Sequence, residues 1–147
     1  MTLAASEAPR TYDPLSNEPE KTMNVIQQAC PAASPIPGVA HATWAGQAEG
    51  LEQLSIWRQT LAPGAATPAH RHDCDEVLLC LAGWGEVHSE GAVQRFGADC
   101  TVVLPKGRDH QIFNIGPQPM EIVGVFGATP VATLLPGGEV LELPWRS

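Results

Sequence analysis

Positive charge is scarce in this chain: 8 Lys and Arg stand against 16 Asp and Glu, for a net charge of −8. No basic stripe is present for a phosphate backbone or an anionic headgroup layer to meet, so neither nucleic acid nor membrane is an expected partner. Aromatic residues are few (5%), and charged residues, at 16%, fall below the usual quarter of a soluble chain. Long hydrophobic runs are missing as well. VLLCLA (77–82) and TVVLP (101–105) are far shorter than the roughly 20 residues a membrane helix needs. The opening MTLAASEAPR has no basic stretch followed by an apolar one, so no secretory leader is expected. Cys30, Cys74, Cys80 and Cys100 form no CxxC pair. Irregular spacing without a leader points to reduced thiols and a cytoplasmic protein. Helical periodicity and internal repeats are also absent.

What is present suits one domain of short strands. The chain has 147 residues, 44% of them hydrophobic, with 14 Gly and 14 Pro spread along it. That spread favours strands joined by turns over a helical bundle. Residues 1–37 read as an arm, partly irregular, with one strand at 22–28 (TMNVIQQ), whose Met23, Val25 and Ile26 need a cover. From 38 to 147, strand-like segments recur at 41–45, 51–61, 76–82, 85–89, 92–96, 100–105, 110–116, 120–127 and 139–143. Gly- and Pro-rich turns separate them. The expected architecture is all-β, a jelly-roll β-barrel.

Three histidines and a glutamate stand out by spacing. His70 and His72 are two apart, so on a strand both imidazoles reach one face, and Arg71 takes the other. A bulge or turn at 73–75 can return the Glu76 carboxylate to the same point. His110 follows much later, after the PKGRD turn. Neutral imidazoles with one carboxylate suit a borderline divalent ion: Fe, Mn, Ni, Co or Zn. Four side chains on a six-coordinate ion leave two positions for water, oxygen or a chelating substrate.

The surrounding residues resemble the two motifs of the cupin superfamily. Gly64, His70, His72, Glu76 and Gly83 match every fixed position of G-x5-H-x-H-x3-E-x6-G. Pro105, Gly107, His110 and Asn114 match G-x5-P-x-G-x2-H-x3-N, except that its leading glycine falls on Asp99, with Gly97 two residues earlier. The resemblance implies a cupin barrel that binds a divalent metal through His70, His72, Glu76 and His110. Small members are commonly dimers, so it also implies a homodimer, in which the apolar arm serves as an exchanged strand. It names no reaction, because fold is not function.

Other residues carry weaker readings. On the strand before the first motif, one parity turns Trp57, Gln59 and Leu61 into the cavity; the other turns Arg58 inward, which would favour a carboxylate. With the first parity, Gln59 orients a substrate oxygen. Leu78 and Cys80 share the Glu76 face, and Ile112 shares the His110 face, which adds all three to the pocket. Cys74 is read as a packed thiol rather than a ligand, Cys100 and Phe113 as core, and His41 and His88 as ordinary strand or surface histidines. Trp84 sits in a turn as a mouth plug, a dimer contact or a half-buried aromatic.

No Ser/His/Asp or paired-carboxylate machinery is visible, so catalysis has no separate residues beyond the ligands. The leading expectation is an enzyme acting on a small organic substrate chelated to the metal, as a dioxygenase or related oxidoreductase. A redox-neutral isomerase, lyase or decarboxylase is one alternative, and a non-catalytic small-molecule-binding barrel is the other.

Overall fold

The computed structural model describes residues 22–145. Among them the chain forms only strands and a single 3₁₀ turn at Gln47–Glu49. The strands are β1 (Ala32–Ala33), β2 (Val39–Ala45), β3 (Ser55–Leu61), β4 (Arg71–His72), β5 (Glu76–Ala82) and β6 (Trp84–Ser89). They continue as β7 (Ala92–Gly97), β8 (Thr101–Leu104), β9 (Gln111–Asn114), β10 (Met120–Phe126) and β11 (Thr133–Leu134). A six-stranded antiparallel sheet runs β1-β2-β3-β10-β5-β8; a second runs β7-β6-β9, and β11 pairs with β4. The protein is an all-β jelly roll.

Alternation builds the core between these sheets. In β8 the burial alternates strictly, with Val102 and Leu104 inside and Thr101 and Val103 outside. β9 repeats the pattern with Ile112 and Asn114 inside. Leu61, Ile112, Met120 and Phe126 are among the most completely buried side chains. On β3, Ser55, Trp57 and Leu61 are buried, whereas Arg58 faces outward, pairs with Glu121 at 3.1 Å and lies over the Trp44 ring.

Two turns depend on backbone that L-residues rarely adopt. Gly83 has φ 93, and a Cβ there would lie 2.9 Å from the Met120 Cα. Asp99, at the place where the motif has glycine, has φ 67. Asp is one of the few side chains that tolerates this region, so the turn keeps its shape without the glycine.

Several expectations need correction. Residues 22–28 form no strand, and Met23 and Val25 are 98% and 94% exposed. The strand of the arm is the short β1, nearer the barrel. Residues 139–143 also form no strand, and only Val140 bridges, to Leu134. Cys100 is exposed rather than core, because it ends the turn ahead of β8. Phe113 lies on the outer side of β9 against the His88 ring. Trp84 is 63% exposed rather than half-buried, with its ring beside Gly97.

Candidate metal centre

His70, His72, Glu76 and His110 come together at one end of the barrel. His70 and His110 are bridged backbone to backbone, with N–H···O distances of 3.0 and 2.8 Å. His72 sits on β4, whose partner Thr133 lies on β11. Arg71 points away and pairs with Asp109 at 3.2 Å. The loop between His72 and Glu76 is pinned on both sides. Asp75 Oδ1 accepts from the Lys106 N–H, and Asp75 O accepts from the Gly127 N–H. That fixed turn returns Glu76, the first residue of β5, to the histidines.

Each histidine is oriented by its outer nitrogen. His70 Nδ1–H donates to Pro68 O at 2.7 Å, His72 Nδ1–H to Ala132 O at 3.0 Å, and His110 Nδ1–H to Arg108 O at 3.1 Å. This turns each Nε2 toward the other three groups, the orientation a metal-binding histidine needs. One ligand atom from each ring lies within 4.8 Å of the others. Glu76 Oε2 stands 3.5 Å from His72 Nε2 and 3.4 Å from His110 Nε2. His72 Nε2 and Glu76 Oε2 are buried with no hydrogen-bond partner. Buried polar atoms without partners call for an explanation, and a shared cation supplies one. The three histidines can hold a metal.

The electrostatics prepare the same result. Burial pushes His70 down to about 4, aided by the neighbouring His110 and His72 rings. Burial also lowers His72. These two rings are neutral at pH 7 and ready to ligate. Burial acts against charge on His110 as well, but the facing Glu76 carboxylate outweighs it and raises that ring. Burial opposes ionisation of Glu76, yet His110 and His72 hold it below the usual carboxylate range. Glu76 thus favours a proton on His110, and a cation would compete with that proton for Nε2.

A cavity of about 40 Å³ opens onto this cluster, with room for roughly three water-sized particles. Trp57, Gln59, Leu78 and Ile112 line it, as do Ile122 and Phe126. Leu61 and Cys80, expected in the pocket, lie instead in the apolar core. They share the inward parity but sit deeper along their strands. Cys74 is buried against Trp57 and Phe126, away from the ligand set. Among the described residues, the lining holds no ionisable side chain beyond the four at the centre.

Two contributors escaped the sequence reading. His41 receives the Gln59 Nε2–H at 3.0 Å and donates its Nε2–H to Thr43 Oγ1. Burial pushes it down to about 4. Its only sequence signal would be the β2–β3 register, which sets His41 opposite Gln59. Trp145 stacks on His41, with ring centroids 3.6 Å apart and planes 8° apart. With Leu141 and Leu143 it lines the cavity. The sequence marks 139–143 only as a strand, with nothing to tie it to the cavity.

Comparison with known proteins agrees with this geometry. A family model described as "Auxin binding protein" matches residues 17–135. The chain is 32% identical to Auxin-binding protein 1 of Arabidopsis thaliana over 105 residues, 65% of this chain and 53% of that protein. It thus spans about half the length of the curated relative. Among solved structures, it is similar to oxalate oxidase in complex with the substrate analogue glycolate. The identity is 27%, the TM-score 0.58, and the match covers 64% of this chain and 53% of that one. A Cupin 2 conserved barrel domain protein from Salinispora arenicola matches in fold, with 22% identity and a TM-score of 0.61, covering 71% of this chain and 89% of that one. The chain belongs to the auxin-binding protein family and has the cupin fold.

Proposed function

We propose that this protein binds one divalent metal through His70, His72, His110 and Glu76, and uses it to anchor the carboxylate of a small, largely apolar organic molecule. The observation that carries the reading is the convergence of three Nε2 atoms and one carboxylate oxygen, with His72 Nε2 and Glu76 Oε2 buried and unpartnered, in a largely apolar cavity. The three backbone-bonded Nδ1–H groups hold the rings in position before any ion arrives. A divalent cation bound there offers a Lewis-acidic point for an oxygen donor. Trp57, Phe126 and Leu78 offer apolar surface to the ligand body. Gln59 adds one oriented amide, held by His41. The name of the family supports binding, and auxin is the first ligand to test; seating it requires the cavity to widen beyond its present volume of about 40 Å³.

Catalysis by the same centre is the second reading. It takes support from the 27% identity to oxalate oxidase and from four side chains that leave coordination positions open. An oxidoreductase of the dioxygenase type fits better than an isomerase, lyase or decarboxylase, because among the described residues no separate acid–base side chain lines the cavity. Calorimetry of metal-loaded and metal-stripped protein with auxin and other small carboxylates tests the binding reading. Saturable binding only to the loaded protein is expected; equal binding to both forms refutes metal anchoring. Oxygen uptake with a bound ligand would shift the function to the oxidoreductase.

A further inference from the structure

Two of the four cysteines stand opposite each other on neighbouring strands. β8 is the outermost strand of the large sheet and, among the described residues, pairs only with β5. The register sets Leu78 opposite Val102 and Leu79 opposite Thr101. One step further brings Cys80 opposite Cys100, and the ladder continues there. Cys80 N–H donates to Cys100 O at 3.0 Å, and Asp99 N–H donates to Cys80 O at 3.0 Å. Asp99 and Cys100 thus oppose the single residue Cys80, with Asp99 at φ 67. This is a G1 bulge with Asp in the place glycine usually takes. The departure of Asp99 from the glycine of the second motif therefore sits beside the cysteine pair.

Spacing and facing both suit a bridge. An antiparallel pair joined by hydrogen bonds holds its Cα atoms about 5.5 Å apart, inside the roughly 4.4–6.8 Å that a disulfide spans. Cys80 shares the inward face of β5 with Leu78, and Cys100 continues the inward face that Val102 and Leu104 take on β8. Burial pushes the Cys80 thiol up, and the nearby Cys100 and Asp99 add to that. Access differs sharply between the two. Cys80 is buried, whereas Cys100 is exposed in a groove lined by Phe96, Val102 and Leu104. Neither belongs to the metal centre, since Cys80 lies four residues, about 13 Å, along β5 from Glu76.

We propose that Cys80 and Cys100 form a reversible disulfide, closed by exchange with a small-molecule disulfide such as glutathione disulfide, which ties the edge strand β8 to β5. The exposed Cys100 thiolate attacks one sulfur of glutathione disulfide. A Cys100–glutathione bond forms, the original S–S bond breaks, and one glutathione leaves. The Cys80 thiolate then attacks the Cys100 sulfur and expels the second glutathione. Two protein thiols are oxidised, one glutathione disulfide is reduced, and the two thiol protons end on the two glutathiones. Burial keeps Cys80 from the external reagent, so it reacts only through Cys100. Disulfides of this kind in a reducing compartment are transient and report its redox state. The bridge closes a loop of about 20 residues, which should raise Tm by on the order of 10 °C.

Peptide mapping of the full chain tests this. The protein is treated with glutathione disulfide, alkylated under denaturing conditions and digested with trypsin. Cleavage after Arg71, Arg95 and Lys106 puts Cys80 on peptide 72–95 and Cys100 on peptide 96–106. These two peptides should appear linked, and fragmentation should place the bridge at Cys80 rather than Cys74. The oxidised protein should melt higher than the reduced one, and dithiothreitol should remove both the link and the gain. Cys100→Ser changes an exposed residue and should leave the fold intact. In that variant Cys80 should stay a free thiol after the same treatment, while the exposed Cys30 still takes up glutathione. Glutathione left on Cys100 beside a free Cys80, a bridge to Cys74 or Cys30 instead, or Cys80 oxidised in Cys100→Ser would each overturn the proposal. A bridged protein that melts no higher than the reduced one would overturn the tie between β8 and β5.

Discussion

Replacing His72 by alanine separates the metal's contribution from the barrel's. The imidazole is buried, makes an edge contact with Trp57, and donates Nδ1–H to Ala132 O. Losing that bond costs about 1 kcal/mol, and the small void adds a comparable amount. In the other direction, the orphaned Nε2 disappears, which recovers about 1–3 kcal/mol of desolvation cost. The metal-free variant should therefore lie within about 2 kcal/mol of the metal-free wild type, a Tm difference of several degrees for a domain of this size. Metal is a different matter. At a hundred times its Kd, an ion that binds only the folded state stabilises by about 2.7 kcal/mol. The wild type should gain that on loading with Zn, Mn, Ni, Co or Fe, and the variant should gain almost none. Calorimetric melting of both proteins, stripped and loaded, measures all four states. The reasoning is refuted if the stripped variant is unfolded at room temperature, or if its Tm rises with metal as much as the wild type's.

Other consequences follow from titration and packing. Within and below the His110 range, loading should release a proton from the His110–Glu76 pair, since Glu76 raises His110. Affinity should therefore fall as pH drops through the His110 range, while His72 and His70 (about 4) stay neutral. Calorimetry in buffers of different ionisation enthalpy counts that proton, and no buffer dependence would contradict the assignment. Burial holds His41 at about 4, below its unfolded value of about 6.5, so the unfolded chain takes up its proton first. Stability should thus decline as pH falls from about 6.5 toward 4. Allowing for partial solvation, His41 contributes about 2 kcal/mol of that decline, and His41→Phe should flatten it in denaturant titrations. Gly83→Ala should cost about 2 kcal/mol or more, because its Cβ meets Met120 backbone at φ 93. An unchanged denaturation midpoint would contradict that packing.

The two motifs made the four central residues legible, because spacing along a strand and invariant turn positions are local properties. The alternation of 76–82 was sufficient to define β5. Parity, however, tells only which face a residue takes and not how deep it lies. Leu61 and Cys80 share inward faces with Trp57 and Glu76, yet each is four residues, about 13 Å, further along its strand. That distance carries them past the cavity into the core. Residues 22–28 alternate like a strand but find no partner within the described residues. Residues 139–143 read as a strand, but Leu141, Leu143 and Trp145 line the cavity as irregular chain, tied to β11 where Leu141 N–H donates to Thr133 O. His41 became informative only when the register set it beside Gln59. All of these depend on long-range contacts, which local periodicity does not encode.

Anomalous scattering from crystals of metal-loaded protein tests the account most directly. One peak per chain is predicted, bonded to Nε2 of His70, His72 and His110 and to the Glu76 carboxylate. A loaded crystal whose only metal peak lies elsewhere, or whose Glu76 carboxylate turns away from the ion, would contradict it.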